Sequence, residues 1–355
     1  MHYCNYYCII MAGGAGRRFW PYSRKTLPKQ FLDFFGTGQT LLQQTFERYR
    51  QIVPLENIYI TTHTDYKELV RDMLPEVDDA HIIAEEERRN TAPSIAYASH
   101  VIEQVNPHAT VVVAPCDHLI LKTEEFKEAI LKGLGFAERN DKLLTIGINP
   151  SRPETGYGYI KADLTMSSLR QREIFRVDKF KEKPDYETAK RYIQENDYFW
   201  NAGIFIWSVS TIVNAFRVYQ PAISKIFEKL LPHYNTPDEQ ALIDQVYPSC
   251  ESISVDYAIM EKAEEIFVCP ADFGWSDLGT WGSLQMHSKR DLYGNTLIGE
   301  HIDLYDCHNC IVHTLEEKRV VVQGLDNYII AEKDDTLLIC RLDEEQRIRQ
   351  FSDEK

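Results

Sequence analysis

From Cys8 to Asn149 the chain alternates short apolar runs with stretches whose apolar residues recur at helical spacing. Cys8–Ala12, Ile58–Thr61, Ile82–Ala84, Val111–Pro115 and Leu143–Ile148 read as buried strands, several of them rich in Val and Ile. Between them, Leu41, Leu42, Thr45, Phe46 and Tyr49 recur at helical spacing. Ile95, Ala98 and Ile102 do the same, and so do Phe126, Ile130, Leu131 and Leu134. Strands alternating with helices predict right-handed βαβ units and an α/β fold with a doubly wound, mostly parallel, Rossmann-like sheet. Such sheets bind ligands outside the carboxyl ends of their strands. The loops after Cys8–Ala12 and after Val111–Pro115 are therefore the first places to look for a site.

After Thr155 the pattern loosens. Strand-like Tyr157–Lys161, Ile174–Phe180 and Ala202–Trp207 mix with helical Tyr186–Glu195 and Val255–Glu264, which predicts a sheet extension completing the same domain. Beyond about Gly294, short β-type runs follow one another: Leu297–Ile298, Cys310–His313, Val320–Gln323, Tyr328–Glu332 and Thr336–Cys340. The expected organisation is a catalytic domain over residues 1–290 and a small all-β domain over residues 291–355.

Charge narrows the function. The 355 residues carry 54 acidic and 39 basic side chains, a net −15, so the basic footprint that nucleic acid needs is missing. A small phosphate ligand held by a few local Lys and Arg remains compatible with that balance. No run of about 18 apolar residues predicts a membrane span. The start, Met1-His2-Tyr3-Cys4-Asn5, has neither the basic residues nor the apolar run of a signal peptide. A cytoplasmic protein is expected, and Cys8, Cys116, Cys269 and Cys340 sit in apolar runs as free buried thiols would. Cys307, His308 and Cys310 have zinc-like spacing, but no second pair follows; core or loop thiols are the expectation there.

The densest chemistry is Ile9-Ile10-Met11-Ala12-Gly13-Gly14-Ala15-Gly16-Arg17-Arg18-Phe19-Trp20-Pro21, followed by Ser23-Arg24 and Pro28-Lys29-Gln30. Glycines directly after a buried strand let the backbone approach a ligand and aim N–H groups at phosphate oxygens. Arg18 and Lys29 add the charge a triphosphate requires. A dinucleotide loop would need a third spaced glycine and a regular helix, which Pro21 and Pro28 oppose. The Gly-Lys-Ser/Thr of a Walker loop is absent too.

This segment resembles the signature Gly-Gly-x-Gly-x-Arg-x-x-Pro-x-Ser-Arg … Pro-Lys of the sugar-nucleotide pyrophosphorylases. Trp20, Ser23-Arg24 and Lys29-Gln30-Phe31 are similar to their mannose-1-phosphate guanylyltransferase branch. Arg17 departs from it, standing where a small or polar residue is expected. The resemblance runs on through most of the chain. Arg89-Asn90-Thr91-Ala92-Pro93-Ser94 is similar to the loop facing the purine base, implying nucleotide contacts from Gly13, Gly14, Gly16, Asn90, Pro93 and Asp117. An ordinary helix N-cap explains Asn90 equally well, and both readings stand.

Val113-Ala114-Pro115-Cys116-Asp117-His118 and Phe273-Gly274-Trp275-Ser276-Asp277-Leu278-Gly279 match the motifs that imply Asp117 and Asp277 as Mg²⁺ ligands. Mg²⁺ is a hard cation that takes carboxylate and phosphate oxygens. The sugar side is implied by Thr155-Gly156-Tyr157-Gly158-Tyr159-Ile160, by Phe180-Lys181-Glu182-Lys183-Pro184 and by Trp200-Asn201-Ala202-Gly203-Ile204-Phe205. There Gly158, Glu182 and Asn201 would meet the hexose, Asn201 as a two-way partner for hydroxyls, and Lys183 would neutralise its phosphate.

The resemblance implies the fold of the nucleotide-diphospho-sugar transferases with a left-handed β-helix-like tail. The implied reaction is α-D-mannose 1-phosphate plus GTP giving GDP-mannose and pyrophosphate, with Arg18, Lys29 and Lys183 as catalytic groups. Two alternatives stay open: another hexose phosphate or nucleotide, and a non-catalytic sugar-nucleotide-binding regulatory subunit. The tail suggests a packing or homodimer surface, with Ile298, Ile311 and Val321 in its core.

Overall fold

The computed structural model describes residues 3–14, 17–168, 171–314 and 318–352. It divides into two compact units: Met1–Gly13, Phe46–Pro115 and Ile120–Trp275 make the first, and Gly14–Thr45, Cys116–Leu119 and Ser276–Lys355 the second. Strands in chain order are Tyr6–Met11 (β1), Ile58–His63 (β2), Ile82–Glu85 (β3), Thr110–Pro115 (β4), the two-residue Leu119–Ile120 (β5), Leu143–Ile148 (β6), Tyr159–Ser168 (β7), Gln171–Lys181 (β8), Tyr198–Ser208 (β9), Ile266–Ala271 (β10) and the two-residue Trp275–Ser276 (β11).

The first unit is built on a nine-stranded sheet in the order β3-β2-β1-β4-β9-β6-β10-β8-β7. β1 pairs in parallel with β2 and β4, and its Cys8, Ile9 and Ile10 are wholly buried, as a central strand covered on both faces requires. The expected mostly parallel sheet needs correction to a mixed one. β9 lies antiparallel between β4 and β6, and β7 and β8 add antiparallel pairings at one edge. The run Ala202–Trp207, expected within a sheet extension, is thus part of a central strand. Its continuous apolar texture had the right character for a two-face-buried strand; sheet order is a long-range property that a local pattern does not carry.

Helix Thr91–Val105 turns Ile95, Ala98 and Ile102 into a core that Ile212, Val213 and Phe216 of helix Val209–Tyr219 share. The segment read as helical Val255–Glu264 is a single π-helical turn, Asp256–Met260.

In the second unit the strands are Thr296–Ile298 (β12), Ile302–Tyr305 (β13), Ile311–His313 (β14), Val320–Gln323 (β15), Tyr328–Lys333 (β16) and Thr336–Arg341 (β17). Alternate strands stack in parallel, β12-β14-β16 in one ladder and β13-β15 in another, with β17 closing the first ladder antiparallel to β16. Cys310, Val312 and Ile330 fill the space between, packed by Ile302, Leu304 and Val320. Ile311 is fully buried, whereas Val321 is 55% exposed and does not belong to the core. Strand residues alternate faces, and Val322 takes the inward place instead.

The glycine-rich loop shares a core with this tail: Phe19, Tyr22 and Phe34 pack with Trp281, Ile311, Ile329 and Ile348. Tyr22 sits edge-on against His313 at 3.9 Å between ring centres. Among the described residues no helix is long and apolar enough to cross a membrane.

Candidate active site

In the second unit Lys29 organises the acidic residues. It opens a short turn, Lys29–Phe31, and its side chain is only 7% exposed. The ammonium meets three oxygens: Asp117 Oδ2 at 2.9 Å, the Asp277 carbonyl at 2.8 Å and the Leu278 carbonyl at 3.2 Å. Those three partners match its three protons. Burial alone would raise the Asp117 carboxyl, but the charges of Lys29 and His118 and the Lys29 hydrogen bond outweigh it. The group is held below the usual Asp value.

The Asp277 carboxylate turns back on its own loop, Oδ1 accepting from the Gly279 N–H at 3.0 Å. Arg18 Nη1 donates to the Gly279 carbonyl at 3.4 Å. A Cβ on Gly279 would come 2.7 Å from Asp277 Oδ2 and 3.1 Å from Arg18 Nη1, so Arg18 and Asp277 crowd the same glycine. Gln30 Nε2 donates to the Gly14 carbonyl at 2.8 Å, which directs that backbone. Gly16 and the side chain of Arg17 lie outside the described residues.

Asp117, Asp277, Lys29 and Arg18 therefore lie in one neighbourhood. Among the described residues no group of three or more His, Cys, Asp and Glu could hold a metal. The carboxylates of Asp117 and Asp277 are oxygen donors of the kind a divalent cation takes, its shell being completed by phosphate and water oxygens. The zinc-like Cys307–Cys310 pair forms no such group: the Cys307 thiol faces the Tyr305 and Val322 carbonyls, and the Cys310 thiol those of His308 and Leu325. Cys116 is likewise core, its thiol pushed up by burial.

The first unit holds the remaining predicted residues. The Gly13 carbonyl accepts from Arg88 Nε at 3.4 Å, and the same guanidinium lies over the Tyr66 ring. Arg88 is a loop contact that the sequence reading did not single out. Asn90 is exposed and caps helix Thr91–Val105, its Oδ1 accepting from the Thr91 N–H at 2.9 Å. Pro93 is buried in that helix's first turn.

Gly158, Glu182, Lys183 and Asn201 form a second neighbourhood. A Cβ on Gly158 would lie 2.0 Å from Glu182 Oε1 and 3.3 Å from the Asn201 Cβ, so any larger residue there must displace that carboxylate. The Asn201 N–H donates to the Gly158 carbonyl at 2.8 Å. Lys183 Nζ reaches Glu182 Oε2 at 3.2 Å; the Glu182 side chain is 8% exposed and that of Lys183 59%.

Asn201 differs from its expected two-way role. Its Oδ1 accepts from the Gly203 N–H at 3.1 Å and lies 3.3 Å from the Thr145 hydroxyl, while Nδ2 donates to Asp256 Oδ1 at 2.8 Å. Asp256 was absent from the predicted site because a lone Asp in a helix-like run carries no distinguishing signal. Burial and then the Glu182 charge push its carboxyl up to about 6, against the Asn201 hydrogen bond and the Lys183 charge.

Comparison with known proteins supplies the class. The nucleotidyl transferase family model matches residues 7–293, and the chain belongs to that family. It is a nucleotidyltransferase. It is 33% identical over 347 residues to a mannose-1-phosphate guanylyltransferase of Escherichia coli, covering 96% of this chain and 74% of that protein. To the alginate biosynthesis protein AlgA of Pseudomonas fluorescens it is 34% identical over 346 residues, 97% of this chain and 70% of the relative. A crystal structure from Thermus thermophilus, described as a mannose-1-phosphate geranyltransferase, superposes with a TM-score of 0.86 at 31% identity and 98% coverage of both chains.

Proposed function

We propose that this chain transfers GMP from GTP to α-D-mannose 1-phosphate, giving GDP-mannose and pyrophosphate. The observation that carries the reading is the Lys29 ammonium bound between the Asp117 carboxylate and the Asp277–Leu278 carbonyls. That arrangement keeps a fixed cation beside the Asp117 carboxylate and the loop that carries Asp277, groups that triphosphate chemistry can use. The names of the relatives supply the hexose and the base.

A phosphate oxygen of the sugar attacks the α-phosphorus of GTP in line; the bond to the bridging oxygen breaks and its electron pair leaves with pyrophosphate. The attacking phosphate is already ionised, so no general base is needed, and His118 has no proton to take. Bound on Asp117 and Asp277, Mg²⁺ would neutralise phosphate charge and polarise the α-phosphorus. Arg18 and Lys29 offset charge that builds on the departing group, and the backbone N–H groups of Gly13 and Gly14 face the phosphates. Asn90 and Pro93 border the base. Lys183 orients the nucleophilic phosphate, while Glu182 and Asn201 hold the sugar beside Gly158.

The tail, residues 291–355, is carried as a left-handed β-helix-like domain on the strength of its parallel ladders and the resemblance. A cytoplasmic location accords with eight free cysteines. A panel of GTP, ATP, UTP and dTTP against mannose and glucose 1-phosphates, read by pyrophosphate release, tests the assignment. The GTP–mannose pair should be fastest; a preference for UTP with glucose 1-phosphate would overturn it.

A further inference from the structure

Asn201 sits where β9 departs from regular pairing. Its partner on β6 is Gly147, the next pair is Phe205 with Thr145, and the extra residues between them form a bulge. Gly203 supplies the left-handed turn of that bulge at φ 67°, and its N–H is thereby aimed back at Asn201 Oδ1, 3.1 Å away. That donor cannot be reversed, so the amide oxygen of Asn201 must stay on its side. The Thr145 hydroxyl crowds the same oxygen at 3.3 Å, sharing its proton with the Ile204 carbonyl at 3.2 Å. On the other side Nδ2 gives one of its two protons to Asp256 Oδ1 at 2.8 Å. A carboxylate there accepts and does not donate, which selects the same amide orientation independently.

We propose that Asp256 is a positioning residue for sugar recognition, locking the orientation of the Asn201 amide so that its remaining N–H is the group presented to the sugar. Resting on the reading of Gly158, Glu182 and Asn201 as the sugar site, this assigns a polarity to it. The Asn201 N–H donates to a hydroxyl oxygen of the hexose 1-phosphate, and Glu182, whose carboxylate lies over Gly158, accepts that class of hydroxyl's proton. A sugar hydroxyl is both donor and acceptor, so it fits between the two. A flipped Asn201 would place its NH₂ against the Gly203 N–H and its oxygen against Asp256, leaving two donors and two acceptors facing each other.

The test uses the full chain and steady-state kinetics with mannose 1-phosphate and GTP. Asp256→Ala should raise the KM for the sugar phosphate about tenfold or more and leave the KM for GTP within about twofold. Asp256→Asn should stay within about threefold of the parent, because its carbonyl still accepts from Asn201 Nδ2. Should Asp256→Ala fail to fold, Asp256→Ser, too short to reach Asn201, takes its place with the same expected KM. An unchanged sugar-phosphate KM in the Ala or Ser variant overturns the proposal, and so does an Asn variant as impaired as either. Asn201→Ala separates the two levels: if it leaves the sugar-phosphate KM unaltered, the sugar-site reading itself fails. If it is impaired while Asp256→Ala is silent, only the positioning claim fails.

Discussion

Lys29 and Asn201 are each held by three neighbours, and the nature of those neighbours sets them apart. Lys29 meets one side chain, Asp117, and two main-chain carbonyls, whereas Asn201 has one main-chain donor and depends on Thr145 and Asp256 for the rest. Main-chain partners survive any substitution of the residue that carries them. The phosphate-side cluster should therefore respond to loss of its own charged groups, while the sugar-side cluster should also respond to changes in residues that touch no substrate.

Lys29→Ala bears on this contrast most heavily. Its turnover should fall by about a hundredfold or more, with the KM for GTP changed by less than about threefold, since the charge counts most as pyrophosphate leaves. Stopped-assay kinetics that show only a raised KM for GTP would place Lys29 in ground-state binding instead. Gly158→Ala comes next: a Cβ 2.0 Å from Glu182 Oε1 must displace the carboxylate, so the sugar-phosphate KM should rise roughly tenfold with the GTP KM preserved. Equal changes in both would remove the separation between the clusters. Asp277→Asn should raise the Mg²⁺ concentration for half-maximal rate by about tenfold, and an unchanged metal titration would exclude its carboxylate as a ligand.

The smallest effects are those of pH, and the two half-buried carboxylates, Asp117 and Asp256, should move oppositely. Asp117 is held below its ordinary value, so its contribution to stability is present above the unfolded pKa and fades as pH falls through the lower folded one. Asp256, raised to about 6, binds its proton more tightly in the fold than in the unfolded chain. Stability accordingly falls as pH climbs from the ordinary Asp value towards about 6. Asp256→Asn should flatten that part of the profile and raise the melting temperature at neutral pH, measured by thermal unfolding. The sugar-phosphate KM should change by no more than about threefold as Asp256 takes up its proton below about pH 6, since the carboxyl C=O still accepts from Asn201 Nδ2 as an Asn carbonyl would, with Glu182, Lys183 and Glu261 the other titratable groups around it. A steeper rise in the parent that Asp256→Asn abolishes would mean that the charge itself, and not the acceptor, is what Asn201 requires.

Much of this was legible in the chain. Gly13, Gly14, Arg18 and Lys29 announced phosphate because glycine after a buried strand and fixed cations have few other uses together. Helix Tyr186–Glu195 and strand Leu143–Ile148 fall where their periodicity placed them. What the pattern missed is non-local. β9 is a central antiparallel strand because of which strands flank it, and β13 at Ile302–Tyr305 is half-buried, without a strong apolar signature. Val321 was misplaced by one residue of alternation. Asn201 reads as two-way because its amide is; its partners Thr145, Gly203 and Asp256, distant in sequence or unremarkable beside it, become visible only in the structure. Arg88 on Gly13 and Asp256 on Asn201 are visible only once the sheet is assembled.

The most direct test of the account follows one phosphorus atom. GTP labelled at its α-phosphate is incubated with mannose 1-phosphate, Mg²⁺ and the full chain, and the products are separated. All transferred label should appear in GDP-mannose, with unlabelled pyrophosphate released in equal amount. Label in free GMP, or in no sugar nucleotide at all, would contradict nucleotidyl transfer to the sugar phosphate.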